Sequence, residues 1–258
     1  MAKRSLESPI LANPLVAKEA HEPMAIGNDP KADLLPLLAT GASMGEALGL
    51  LVGSLGEVRY RPLWQQWSEK QSKARPVLEE LHAVAVHSPV AANIWLTVWL
   101  EGKASKKLDL VFKDCSWLTT LPEYLEVAGT LDLRGTQVTV LPRGLQVAGH
   151  FLLTGTAIVS LPENLVVGDS LDCRNTKFAA LPEGLKVARH LNLAFSQIRE
   201  LPKAMNVGGN LTLTLCRQWD GRLPPDAQVG GLVFSEKGSP SGLSLAEWRE
   251  RFPNGEPR

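Results

Sequence analysis

From residue 108 onward the apolar positions recur every twenty residues. "LPRGLQVAGHFLLTGT" (141–156) is followed by "LPENLVVGDSLDCRNT" (161–176) and then "LPEGLKVARHLNLAFS" (181–196). The unit reads L-x-L-x-x-T-x-V-x-x-L-P-x-x-L-x-V-x-G-x. Full units begin at Leu131, Phe151, Leu171 and Leu191. An opening unit aligned on Leu108 is three residues longer, and a last unit from Leu211 is two residues longer before its "LP". Column twelve holds Pro122, Pro142, Pro162, Pro182, Pro202 and Pro224, and column seventeen holds valine from Val127 to Val229. A period of this length marks a solenoid, in which each unit buries its apolar face on its neighbours.

Within a unit, "LDL" (131–133) and "LNL" (191–193) alternate as half-buried strands do. Columns one and three point inward, and columns two and four outward. Stacked units then form a parallel sheet. Twenty residues leave no room for a helix on the opposite wall, and the proline of column twelve disfavours one, so that wall is expected to be extended and polyproline-like. Glycine in column nineteen (Gly129, Gly149, Gly209) is replaced by Asp169 and Arg189, so a positive φ is not obligatory there. Cys173 falls in an inward column, which argues against a catalytic thiol.

Residues 31–107 read as a helical cap. "SMGE" (43–46) is a capping box. Pro62 lies near the start of a helix or kinks it. Val77, Leu78, Leu81, Val84 and Ala85 form a stripe, and Ser88-Pro89 opens a helix carrying Trp95 and Trp99. The tryptophans of this region are read as core, with an aromatic ligand site as the alternative. Residues 1–30, with no sustained period, are read as a flexible arm. Residues 235–258 are read as a polar linker and a closing helix with a second capping box, Ser244 and Glu247.

The repeat resembles that of the leucine-rich repeat family, whose shortest bacterial class has units of this length with "LP" in each. The resemblance covers about 108–234, half the chain. It implies an α+β protein: a helical cap on a short leucine-rich-repeat solenoid with a parallel concave sheet and an extended convex side. In the family, column six usually carries Asn bonded to turn backbone. Here Thr136, Thr156, Thr176 and Ser196 stand there, so a ladder of hydroxyls is expected to satisfy buried turn groups. Bacterial proteins of this kind include effectors delivered into host cells, some with a ubiquitin-ligase domain after the repeats. About 25 residues follow the repeats here, without cysteine, and the doubled "LPxLP" is missing. The implied protein is thus effector-like without a ligase domain. It is expected in the cytoplasm of the producing cell, with a non-Sec route into a host compatible with the N-terminal arm.

Composition narrows the function further. Lys+Arg and Asp+Glu balance at 27 each, and neither half has the positive excess that phosphate backbones require, so nucleic acid is not expected. Three cysteines do not make a disulfide scaffold. The apolar run 89–100 is too short to span a bilayer. No phosphate loop, Cys-x-x-Cys or nucleophile-elbow motif occurs in the sequence. No catalytic residue, metal or cofactor is therefore assigned.

The outward columns supply the candidate site. Asp132, Arg134, His150, Asp172, Arg174, His190, Asn192 and Phe195 give the concave face mixed charge beside an aromatic, which suits a protein partner. Asp132–Arg134 and Asp172–Arg174 could equally neutralise each other. His150 and His190, near aspartates, could form a metal or acid–base site, or simply reflect duplication of the unit. The expected function is a non-catalytic protein-interaction module. The alternative is a recruiting subunit or enzyme active in the helical region, which offers only His82 and His87 and no cysteine for chemistry.

Overall fold

The structure is a computed structural model that describes residues 29–71, 73–101, 108–236 and 240–255. The proposed arm lies almost wholly outside these residues.

The described N-terminal region holds five helices: α1 (Pro30–Ala39), α2 (Met44–Leu55), α3 (Glu57–Ser68), α4 (Ala74–His87) and α5 (Pro89–Glu101). The expected capping box closes at the start of α2. The Ser43 hydroxyl accepts from the Glu46 N–H (3.2 Å), and the Glu46 carboxylate accepts from the Ser43 N–H (2.8 Å). Pro62 lies inside α3 rather than at its start. Val77, Leu81 and Val84 on α4 are fully buried where α4 packs against α2 and α5. Trp64 and Trp95 stack with ring centroids 5.5 Å apart and are inaccessible to solvent, so both rings are core.

Two ionic clusters fix the helix arrangement. Arg59 donates to Asp33 through Nη2 (2.8 Å) and Nε (3.2 Å), and the Tyr60 hydroxyl donates to the same carboxylate (3.1 Å), tying α1 to α3. Glu57 accepts from Arg61 (2.8 Å) and from the Trp95 indole N–H (2.8 Å), tying α3 to α5. Hydrogen bonding from Arg59 and Arg61 holds the carboxyls of Asp33 and Glu57 below the usual carboxylate range, against the upward pull of burial.

The repeats wind into a β-solenoid with two sheets. The first contains strands at Leu110–Val111, Leu131–Asp132, Phe151–Leu152, Leu171–Asp172, Leu191–Asn192, Leu211–Thr212 and Leu232–Phe234, all parallel. An antiparallel strand, Leu243–Ser244, ends it. Leu131, Phe151, Leu171, Leu191 and Leu211 stack in register and are buried, as the column alignment requires.

The structure corrects the sequence reading in two places. Leu110, not Leu108, pairs with Leu131, so the opening unit is shifted by two. Phe112 is consequently an inward, fully buried column-three residue, and Cys115 occupies column six. The opposite wall also has its own ladder. A second parallel sheet runs through Glu126–Val127, Gln146–Val147, Val166–Val167, Lys186–Val187, Asn206–Val207 and Gln228–Val229. No helix intervenes between the strands over 110–234, but columns sixteen and seventeen pair instead of remaining unladdered.

Five turns of the solenoid contain left-handed residues at two fixed columns, and the last keeps only the first of them. Column five supplies Asp114, Gly135, Gly155, Asn175, Phe195 and Leu215, with φ between 54° and 74°. Column fourteen supplies Tyr124, Gly144, Asn164, Gly184 and Ala204, with φ between 50° and 66°. The column-nineteen glycines serve another purpose: a Cβ on Gly149 would stand 2.5 Å from the Gly129 carbonyl oxygen.

Both ends of the solenoid are closed. On the helical side, Asn93 of α5 donates to the carbonyl of Trp117 (2.6 Å) and accepts from the N–H of Thr119 (3.0 Å). At the far end, Ser244 and Glu247 form the expected capping box of α6 (Leu245–Arg251). Trp248 of α6 is buried against Trp219 (centroids 5.7 Å apart). Arg249 donates to the carbonyls of Pro225 (2.8 Å) and Ala227 (3.0 Å), which the last turn leaves without a following unit.

Candidate protein-binding face

The outward face of the first sheet is organised by its second column. Asp132 accepts from the N–H of Arg134, Asp172 from that of Arg174 and Asn192 from that of Ala194, each at 3.1 Å. A short side-chain acceptor two residues before a turn N–H forms an Asx turn. These three residues therefore hold the backbone where the strand leaves the sheet. The aspartates do a second job. Arg134 donates to Asp132 through Nε (2.9 Å) and Nη2 (2.6 Å), and Arg174 pairs with Asp172 in the same manner (3.0 and 2.7 Å).

The two pairs differ in exposure. Asp132 is only 3% exposed, so the surface here consists of the half-buried Arg134 guanidinium. Asp172 is half-buried beside an exposed Arg174. Burial pulls the Asp172 carboxyl upward, but hydrogen bonds from the Arg174 side chain and backbone outweigh this and hold it below the usual carboxylate range. Leu152 and Thr154 lie between the pairs, which are roughly 10 Å apart at two strand spacings. The face thus alternates guanidinium–carboxylate pairs with a neutral strand.

Column twenty borders this face, and its side chains link successive units. Ser170 accepts from the N–H of His190 (3.4 Å), His190 Nδ1 from that of Asn210 (3.0 Å), and Asn210 Oδ1 from that of Leu232 (3.0 Å). Accepting at Nδ1 leaves His190 a donor only at Nε2. His150 Nδ1 instead faces the Asp169 carboxylate at 3.5 Å. The histidines stand two strands apart with Ser170 between them. Each Nδ1 is engaged with a different neighbour, His190 with the Asn210 N–H and His150 with the Asp169 carboxylate. No cluster of potential metal ligands occurs among the described residues.

Column six lies beneath the turn that follows. Thr136, Thr156 and Thr176 are buried, and their hydroxyls donate to the carbonyls of Leu133 (2.7 Å), Leu153 (2.9 Å) and Cys173 (2.7 Å). Each rung closes within its own unit. Between units, the Ser196 hydroxyl lies 3.6 Å from Cys216 Sγ, and that thiol donates to the Leu193 carbonyl (3.0 Å). Burial raises the Cys173 thiol well above its usual range and also raises those of Cys115 and Cys216, which disfavours the thiolate.

Phe195 is 57% exposed and adopts φ 62°, and Leu215 on the next unit adopts φ 59°. A left-handed residue with a Cβ costs about 1–2 kcal/mol. Glycine or asparagine avoids or reduces that cost at the same column of three earlier units. Sequence reading placed Phe195 on the outward face but missed its backbone conformation. The signal was Gly135, Gly155 and Asn175 in the same column.

No helix among the described residues is long and apolar enough to cross a membrane. No protein-family model, no curated protein and no solved structure matches this chain.

Proposed function

We infer that the chain is a non-catalytic protein-interaction module whose solenoid receives a protein partner on the outward face of the first sheet. The observation that carries this reading is the fixed array of Arg134, Arg174, Asn192 and Phe195. Asx turns, buried hydroxyl rungs and in-register strands set the backbone beneath these side chains. Seven parallel strands about 4.8 Å apart give a face roughly 30 Å long, the scale of a standard protein interface. Paired guanidinium and carboxylate groups beside exposed apolar side chains match the mixed character of such surfaces. The twenty-residue "LP" units favour a narrower reading as a bacterial leucine-rich-repeat protein of effector-like kind, for which synthesis in the cytoplasm and a non-Sec route into a host follow from that resemblance alone.

The test is partner capture with Asp132→Asn/Arg134→Gln/Asp172→Asn/Arg174→Gln. Asparagine keeps the Asx acceptors while removing the charges, so the backbone is preserved. Loss of the partner supports the reading. Retention by this variant together with loss on Val58→Glu, at an exposed position of α3, would move the function to the helical region.

A further inference from the structure

Beyond the sheet face, the turn edge of the last units carries a second feature. A cavity of about 290 Å³ opens between units, lined by Asn175, Phe195, Gln197, Leu215, Arg217 and Gln218. Phe195 and Leu215 hold the same column on successive units, both left-handed, and present apolar surface side by side. The cavity offers three carboxamides, which both donate and accept, as a peptide backbone requires. Lys177, Gln197 and Arg217 occupy column seven of three consecutive units. This sets the backbones that carry the two cations roughly 10 Å apart, with an amide-bearing residue between them. Lys177 and Arg217 are exposed, and neither forms an ion pair among the described residues.

We propose that this turn edge docks an extended acidic peptide segment of a partner protein, with an apolar side chain seated on Phe195 and Leu215 and flanking carboxylates on Lys177 and Arg217. The spacing fits: alternate residues of an extended chain share a face, so carboxylates at i and i+4, about 13 Å apart, flank an apolar residue at i+2 and lie within reach of the long Lys177 and Arg217 side chains. The cost of holding Phe195 left-handed and exposed is then offset in the complex, where the ring is covered. The inference rests on the reading of the solenoid as a protein-binding module and names the kind of segment it takes.

The experiment pans a display library of random linear peptides on the full chain and measures enriched peptides by fluorescence anisotropy. Acidic sequences containing Leu or Phe are expected. Their affinity should fall about tenfold or more on Phe195→Gly and on Arg217→Glu, and should weaken with added salt. Glycine suits φ 62°, so Phe195→Gly should fold. Arg217→Glu, at an exposed site, carries the test if it does not. Basic or wholly polar winners, no enrichment over bare support, or full affinity in both variants would overturn the proposal. Affinity lost only in Asp132→Asn/Arg134→Gln would overturn this site and leave the module reading standing. Affinity unchanged in all three variants would count against both.

Discussion

The side-chain amide of Asn93 donates to the main-chain carbonyl of Trp117 at 2.6 Å, and Asn93 is buried. The same amide donates to Pro89 O (2.8 Å), while its oxygen accepts from the Thr119 N–H (3.0 Å) and hydroxyl (3.3 Å). One carboxamide thus meets both the last helix of the cap and the first turn of the solenoid. Asn93→Leu keeps the size and strands the Trp117 carbonyl and the Thr119 N–H. With about 1–3 kcal/mol for the buried Trp117 carbonyl left unpaired, and little for the N–H of the exposed Thr119, the variant should lose about 1–3 kcal/mol. Urea denaturation followed by tryptophan fluorescence measures this loss. A change under about 0.5 kcal/mol would mean the junction is held elsewhere.

Thr176→Val removes the hydroxyl that satisfies the Cys173 carbonyl and should cost about 1–3 kcal/mol. Thr176→Ser retains the donor and should recover most of that loss. Unchanged stability in Thr176→Val, measured by chemical denaturation, would remove the hydroxyl rung from the fold's energetics.

Ala204 is exposed at φ 50°. Ala204→Gly relieves the left-handed Cβ but loosens the unfolded chain, so it should stabilise by about 0.5–1 kcal/mol net. A fall in melting temperature would contradict the two-turn geometry assigned to the Ala204 unit.

Acid should weaken both halves of the molecule. The carboxyls of Asp33, Glu57 and Asp172 titrate lower in the fold than in the open chain. Depressed carboxyls contribute stability that is fully present above their unfolded values and lost as pH falls through the native ones. Stability should therefore be flat near neutrality and decline below about pH 4. Asp172→Asn should make that decline shallower. Identical acid profiles for variant and wild type would remove Asp172 from the account.

The repeat was legible because its columns are strict: Leu131, Phe151, Leu171 and Leu191 stack as the alignment has them. The opening unit was misplaced for a definite reason. Leu108-Asp109-Leu110 and Leu110-Val111-Phe112 both alternate, and a shift of two leaves a period of two unchanged. Only the pairing of Leu110 with Leu131 decides between them. The second sheet escaped although Leu in column fifteen and Val in column seventeen alternate with an outward column sixteen, because the proline of column twelve was read as keeping the whole wall extended and unpaired. At the candidate site, Asp132, Asp172 and Asn192 were legible as column-two residues, but the near-complete burial of Asp132 under Arg134 was not. Nor was their turn-capping role, because it depends on where the strand bends.

The most direct test places a photo-crosslinking amino acid at one position at a time: Arg174 on the first sheet, Lys186 on the second sheet and Val58 on α3. All three side chains are exposed. The account predicts that a crosslinked protein partner forms from position 174 and not from 186 or 58. A partner crosslinked from 58 or 186 with nothing from 174 would contradict it.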